Sequence, residues 1–210
     1  MGACIEKFSE VKSFPDKVYC DTNFIFGLQG YIYDRKNPKF EMNYQFWDVL
    51  QKKSVSLFTS TLGVNEAIYI SFYLNGIYKD NKKHLGTASE KRLPEKQIRD
   101  FRKSNVKLYE QFYKSNLFRV KSLLQFLYNC GFIILPIPPS SATEFLLSYN
   151  GDAVSKYASY LIENYSEIDV MDAFHIAMAS YVSIKTIVTS DRGFWSVNKI
   201  TVYSPDYIFH

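Results

Sequence analysis

The stretch from Asp169 to Asp191, DVMDAFHIAMASYVSIKTIVTSD, decides the reading of this chain. Val170 to Ala179 is apolar almost throughout, and a helix is predicted over Asp169 to Tyr181. Thr186-Ile187-Val188-Thr189 is β-prone and stops at Ser190-Asp191, which predicts a short buried strand with an acid just past its end. Within the helix, Asp172 is out of place. Asp is a poor interior helix residue, and an unpaired buried carboxylate costs several kcal/mol. Asp169 is explained as an N-terminal cap facing the helix dipole; Asp172, three residues further in, is less well explained that way.

Outward from that stretch the same alternation repeats. Lys17 to Cys20 reads as a strand ending at Asp21-Thr22-Asn23, which is capping chemistry, with Ile25 and Phe26 continuing an apolar run. Glu41 to Lys53 carries Met42, Phe46, Val49 and Leu50 on one stripe and is predicted helical. Val55 to Phe58 is a strand, and Ser60 and Thr61 can cap a helix bearing Leu62, Glu66, Ile70 and Tyr73, with Asn75-Gly76 as its stop. Lys79 to Ser89 is a polar loop, Pro94 opens a helix through Ile98, Phe101, Leu108 and Phe112, and Leu117 to Cys130 is helical up to Gly131. Phe132 to Leu135 is a strand stopped by prolines. Ser141 to Tyr149 and Ala153 to Tyr165 are helices, and Ile200 to Tyr203 is a last strand. Strands separated by helices predict an α/β fold, three layers deep, α/β/α, around a mainly parallel sheet.

The chain has 210 residues, 47% hydrophobic and 22% charged, which suits one sizeable core. The expectation is therefore a single domain over 1–210 with a basic, mainly helical elaboration at about 79–130. Seventeen Tyr and seventeen Phe exclude a disordered chain. No run of about eighteen apolar residues is present, so no membrane span is expected. The opening MGACIEKFSE carries Glu6 and Glu10 where a secretion signal has an apolar run, and three scattered cysteines suit a reducing compartment, so the cytoplasm is expected. Charge is uneven: Lys79 to Lys121 holds thirteen Lys and Arg against five acids, net +8, and the remainder of the chain is −4. Such a segment fits a polyanion-binding surface, with Lys82, Lys83, Arg99 and Arg102 as its contacts, although charge alone favours a solvated helix face with interspersed acids.

Asp21 and Asp191 each follow a β-prone run. The carboxyl ends of strands in an open parallel sheet form its ligand crevice, although Asp also caps helices there. Glu66 falls on the apolar stripe of its helix, where a snorkelling surface Glu is the alternative. Four acids converging on one crevice would repel one another and raise each other's pKa, and a divalent cation removes that penalty. Oxygen ligands without a Cys pair or paired His favour Mg²⁺ or Mn²⁺ over zinc. Asn23 stands where a haloacid-dehalogenase phosphatase has its second Asp, and neither a glycine-rich dinucleotide loop nor a P-loop is present.

Together, Val18-Tyr19-Cys20-Asp21-Thr22-Asn23, Gly63-Val64-Asn65-Glu66, the run Asp172 to Ala179 and the run Thr186 to Phe194 resemble the PIN-domain nucleases, in particular the toxin-like ribonucleases of the VapC type. The helix D-A-x-H-x-A-x-A followed by I-V-T-x-D-x-x-F is the most specific part, and the segment from about Lys79 to Cys130 is longer than small toxin-type members carry. The resemblance implies a metal-dependent endoribonuclease in which Asp21, Glu66, Asp172 and Asp191 hold Mg²⁺ or Mn²⁺, with Asn23, Thr189 and Asp169 supporting them by hydrogen bonds. It implies an RNA substrate, a protein antitoxin and a homodimer. His84 lies in a Lys-rich loop and His210 is terminal; His175, without a partner by spacing, is read as structural. A module that binds RNA without cleaving it is the competing reading. It predicts RNA binding that weakens steeply with salt and is abolished by charge reversal of Lys82, Lys83, Arg99 and Arg102, as checked by fluorescence anisotropy across a salt series.

Overall fold

A computed structural model describes residues 2–69, 103, 107, 121–136 and 153–209. In chain order the elements are β1 (Cys4–Lys7), β2 (Lys17–Cys20), α1 (Thr22–Tyr33), α2 (Pro38–Lys52), β3 (Ser56–Ser60), α3 (Thr61–Tyr69), β4 (Phe132–Leu135), α4 (Ala153–Asn164), α5 (Val170–Tyr181), β5 (Thr186–Val188) and β6 (Thr201–Ser204), with 3-10 turns at Arg192–Ser196 and Asp206–Phe209. The strands form one sheet in the order β1-β6-β5-β2-β3-β4, and every pairing among the described residues is parallel. Helices cover both of its faces, as the α/β/α expectation requires.

Pleat and register divide the core into two layers. Tyr19, Ile187 and Val202 are register partners across β2, β5 and β6, so they share one face. There they join Ala158 and Leu161 of α4 and Ala173, Ile176 and Ala177 of α5 in a single buried cluster. Tyr203, one residue on from Val202, belongs to the opposite face. It meets Phe46 of α2 edge-on at 5.9 Å, and Phe46 stacks on Phe8 at 3.9 Å with the rings nearly coplanar in orientation.

Local chemistry sets the helix starts. Asn37 caps α2 by accepting from Lys39 N–H at 3.1 Å, and Pro38 occupies the first turn, where its missing N–H costs nothing. The helix thus begins ahead of the expected Glu41. Asp21 caps α1, accepting from Thr22 N–H at 2.7 Å. Asp169 caps α5, accepting from Asp172 N–H at 2.8 Å. Gly131 takes φ +75°, a conformation open to glycine, immediately before β4.

The chain divides into two compact units, Met1–Val64 with Cys130–His210 and Asn65–Asn129. The boundary falls inside α3. In the second unit residues 121–129 are helical, with Leu123 and Leu127 buried and Tyr128 exposed. The expected stop at Asn75-Gly76, the loop and helix from Lys79 to Phe112 apart from Lys103 and Lys107, which are helical and exposed, and the helix from Ser141 to Tyr149 lie outside the described residues. Among the described residues no helix is long and apolar enough to cross a membrane.

The aromatic layer gives a direct test. Phe46 is buried and touches Phe8, Phe24 and Tyr203, so Phe46→Ala is expected to cost about 3–5 kcal/mol, measured by equilibrium urea unfolding.

Candidate functional site

The pairing of β2 with β5 brings Cys20 opposite Val188, so the residues that follow each strand emerge side by side. Asp21 N–H donates to Val188 O at 3.0 Å, continuing the ladder by one rung. Asp21 is 3% exposed, and its carboxylate is gripped by donors. Oδ1 accepts from Thr22 N–H at 2.7 Å, and Oδ2 accepts from Thr189 Oγ1 at 2.7 Å and from Asn23 Nδ2 at 3.3 Å. Thr189 Oγ1 in turn accepts from Asp191 N–H at 2.9 Å. One threonine hydroxyl therefore fixes the acid after β2 and the backbone of the acid after β5.

Asp191 Oδ1 accepts from Gly193 N–H at 2.8 Å and caps the following 3-10 turn. A Cβ at Gly193 would lie 2.9 Å from Asp172 Oδ2 and 3.3 Å from Asp191 Oδ1. The two carboxylates thus press against a position that only glycine leaves open. Asp172 sits in the first turn of α5 and is buried. Burial, followed by the charges of Asp169, Asp191 and Asp21, pushes its carboxyl up to about 8, with His175 opposing the shift.

His175, one turn further along α5, is almost fully buried. Its Nε2 lies 3.7 Å from Asp21 Oδ1, and its Nδ1 lies 2.7 Å from the Tyr19 hydroxyl, which is 2.7 Å from Ser60 Oγ. Ser60 Oγ accepts from Gly63 N–H at 3.3 Å. Gly63 permits this approach, because a Cβ there would stand 3.3 Å from His175 Cε1 and 2.9 Å from Thr59 Oγ1. Desolvation drives the Tyr19 phenol far up, so it keeps its proton.

Glu66 is half-buried on α3, the helix that runs across the boundary between the units. Asp21 and His175 each offer an atom able to bind a metal, 3.7 Å apart. The charges of Asp191 and Asp21 both act on the Asp172 carboxyl. Carboxylate oxygens and one imidazole nitrogen, beside an acid whose carboxyl is pushed up first by burial and then by neighbouring charge, are compatible with a divalent cation.

Of the residues singled out from the sequence, Asp21, Asn23, Thr189 and Asp191 are joined by hydrogen bonds, and Asp169 caps the turn that carries Asp172. Lys82, Lys83, Arg99 and Arg102 lie outside the described residues. His175, read as structural and without a partner by spacing, lies 2.7 Å from the Tyr19 hydroxyl through Nδ1 and faces Asp21. The available signal was its spacing of three from Asp172, which sets both on one helix face.

No protein-family model matches the chain, and no curated protein matches it. Among solved structures, the crystal structure of FitAcB from Neisseria gonorrhoeae is similar at 16% identity. The match covers 92% of this chain and 99% of that one, with a TM-score of 0.43. At that identity and score the likeness carries no functional conclusion.

The raised carboxyl of Asp172 makes stability depend on pH. An unfolded Asp releases its proton near 3.8, whereas the native group holds it to about 8. The stability this contributes is complete below the lower value and is lost as pH rises through the upper one. Asp172→Asn, which cannot ionise, should therefore melt about 3–6 °C above the unsubstituted protein at pH 8.5 in EDTA, a gain on the order of 1–2 kcal/mol after solvent screening. The gap should close by about pH 4.5. Differential scanning fluorimetry across that range checks both ends.

Proposed function

We propose that the chain is a metal-dependent hydrolase of RNA phosphodiester bonds, an endoribonuclease of the PIN-domain kind. The observation that carries this reading is the hydrogen-bonded pairing of Asp21 and Asp191 through Thr189 at the ends of adjacent parallel strands, with the buried carboxyl of Asp172 alongside. Asp21, Glu66, Asp172 and Asp191 are proposed to hold Mg²⁺ or Mn²⁺, supported by Asn23, Thr189 and Asp169. When bound, the cation supplies an acidified water and neutralises charge on the phosphate oxygens.

The chain's own residues do the rest. Thr22 N–H, Asn23 and Thr189 hold the Asp21 carboxylate in one orientation, so no reorganisation is needed there during reaction. Asp172 and Asp191 are crowded against Gly193, and a bound cation would relieve the repulsion that adds to burial in keeping Asp172 protonated. The +8 segment from Lys79 to Lys121 is proposed to draw in the polyanion, in one PIN-like domain over 1–210 with that segment as its elaboration. The sequence resemblance further motivates a toxin role with a protein antitoxin and a homodimer.

Single-stranded RNA should be cleaved with Mg²⁺ or Mn²⁺ and left intact with EDTA. Asp21→Asn and Asp172→Asn should each lower the rate at least about 100-fold, a loss of roughly 2.7 kcal/mol at the transition state, with the far-ultraviolet circular dichroism of the native protein retained. Cleavage that survives both substitutions and chelation refutes the metal mechanism. Binding without cleavage in every condition favours the non-catalytic RNA module.

A further inference from the structure

We infer that Ser204, the last residue of β6, is a positioning residue for the acidic site and acts on it through Thr189. This rests on the cation site proposed above and names a residue outside it that sets its geometry. Along the β5–β6 ladder, Thr201 N–H donates to Lys185 O at 2.8 Å and Thr189 N–H donates to Tyr203 O at 3.1 Å. With the parallel register that pairs Val188 with Tyr203, the next rung calls for an N–H from residue 205 to Thr189 O. The Ser204 carbonyl shows the same orientation. It accepts from Phe8 N–H at 2.9 Å on the β1 side, and across a trans peptide the following nitrogen faces the other way, toward β5. That nitrogen belongs to Pro205, which has no hydrogen to donate.

Ser204 supplies the donor from its side chain. Its hydroxyl donates to Thr189 O at 2.7 Å, and both residues are wholly buried, where an unpaired carbonyl is costly. The bond holds the backbone of Thr189 one residue past the end of β5. Thr is β-branched and stiff at χ1, so its hydroxyl follows its backbone. That hydroxyl donates to Asp21 Oδ2 at 2.7 Å and receives Asp191 N–H at 2.9 Å. Each direction follows from the chemistry of the two groups: hydroxyl to carbonyl, hydroxyl to carboxylate, amide to hydroxyl. Ser204 touches neither acid, yet one bond from it sets the residue that holds them both.

The test is amide hydrogen exchange on the full chain without metal, followed by titration with Mn²⁺ alone. Ser204→Ala should speed exchange at Asp191 N–H about tenfold relative to the buried amide of Leu50 in α2, and should weaken Mn²⁺ binding about tenfold. Adding Pro205→Ala restores a backbone donor at residue 205. The double variant should return both readings to within about threefold of the unsubstituted chain. Val202→Ala, which opens the core on the same strand, should leave the exchange ratio and the Mn²⁺ affinity unchanged, which separates positioning from loss of stability. An exchange ratio and affinity in Ser204→Ala no different from those in Val202→Ala overturn the inference and leave the hydrolase reading standing. If Ser204→Ala does not fold, a folded double variant with both native readings supports the inference, and one that also fails to fold overturns it. Absence of Mn²⁺ binding by the unsubstituted chain overturns the hydrolase reading, and the exchange ratio then decides by itself whether Ser204 positions Thr189.

Discussion

The burial of one carboxylate organises this molecule. Asp21 stands at the end of the central strand β2, almost without solvent, and a buried charge persists only where donors replace the lost water. Three of those donors come from its own turn and from the residue that follows β5. Thr22 N–H and Asn23 are local, but Thr189 is 168 residues away in sequence. The sheet must therefore bring β5 beside β2, and the helix that precedes β5 delivers Asp172 and His175 to the same place. Packing and polar satisfaction impose the same topology.

Much of the sheet could be read from the chain because buried parallel strands are continuous apolar runs. Lys17 to Cys20 and Phe132 to Leu135 coincide with β2 and β4, and β3, β5 and β6 differ from expectation by a residue or two at their ends. What escaped notice had weaker patterning. Cys4 to Lys7 forms the edge strand β1, and with Glu6 and Lys7 it has no apolar run to announce it. Helix α1 has apolar residues nearly all round, FIFGLQGYIY after its cap, so it offers no stripe to separate helix from strand. The start of α2 at Pro38 needed the Asn37 cap to be recognised rather than the first apolar residue of the stripe.

The candidate site was legible where cost was visible. An acid in an apolar helix or past the end of a strand is conspicuous because burial is expensive, and this is how Asp172, Asp21 and Asp191 were found. His175 carries no such flag, since a neutral imidazole is tolerated in a core. Its contact with Tyr19, 156 residues away, and the contact of Tyr19 with Ser60, 41 residues away, are made by the tertiary fold. Such a polar chain is a property of tertiary structure, and no local spacing encodes it.

The register between β2 and β5 also has a consequence for biosynthesis. A polypeptide leaves the ribosome amino end first, and β2 is made long before Thr186–Val188. Until β5 emerges, Asp21 lacks the Thr189 hydroxyl and the rung at Val188 that fix it. Non-local parallel pairing of this kind is slow and comes late in folding. The acidic centre is consequently completed only after β5 has emerged, and a nascent chain that has not reached β5 holds Asp21 without its counterparts.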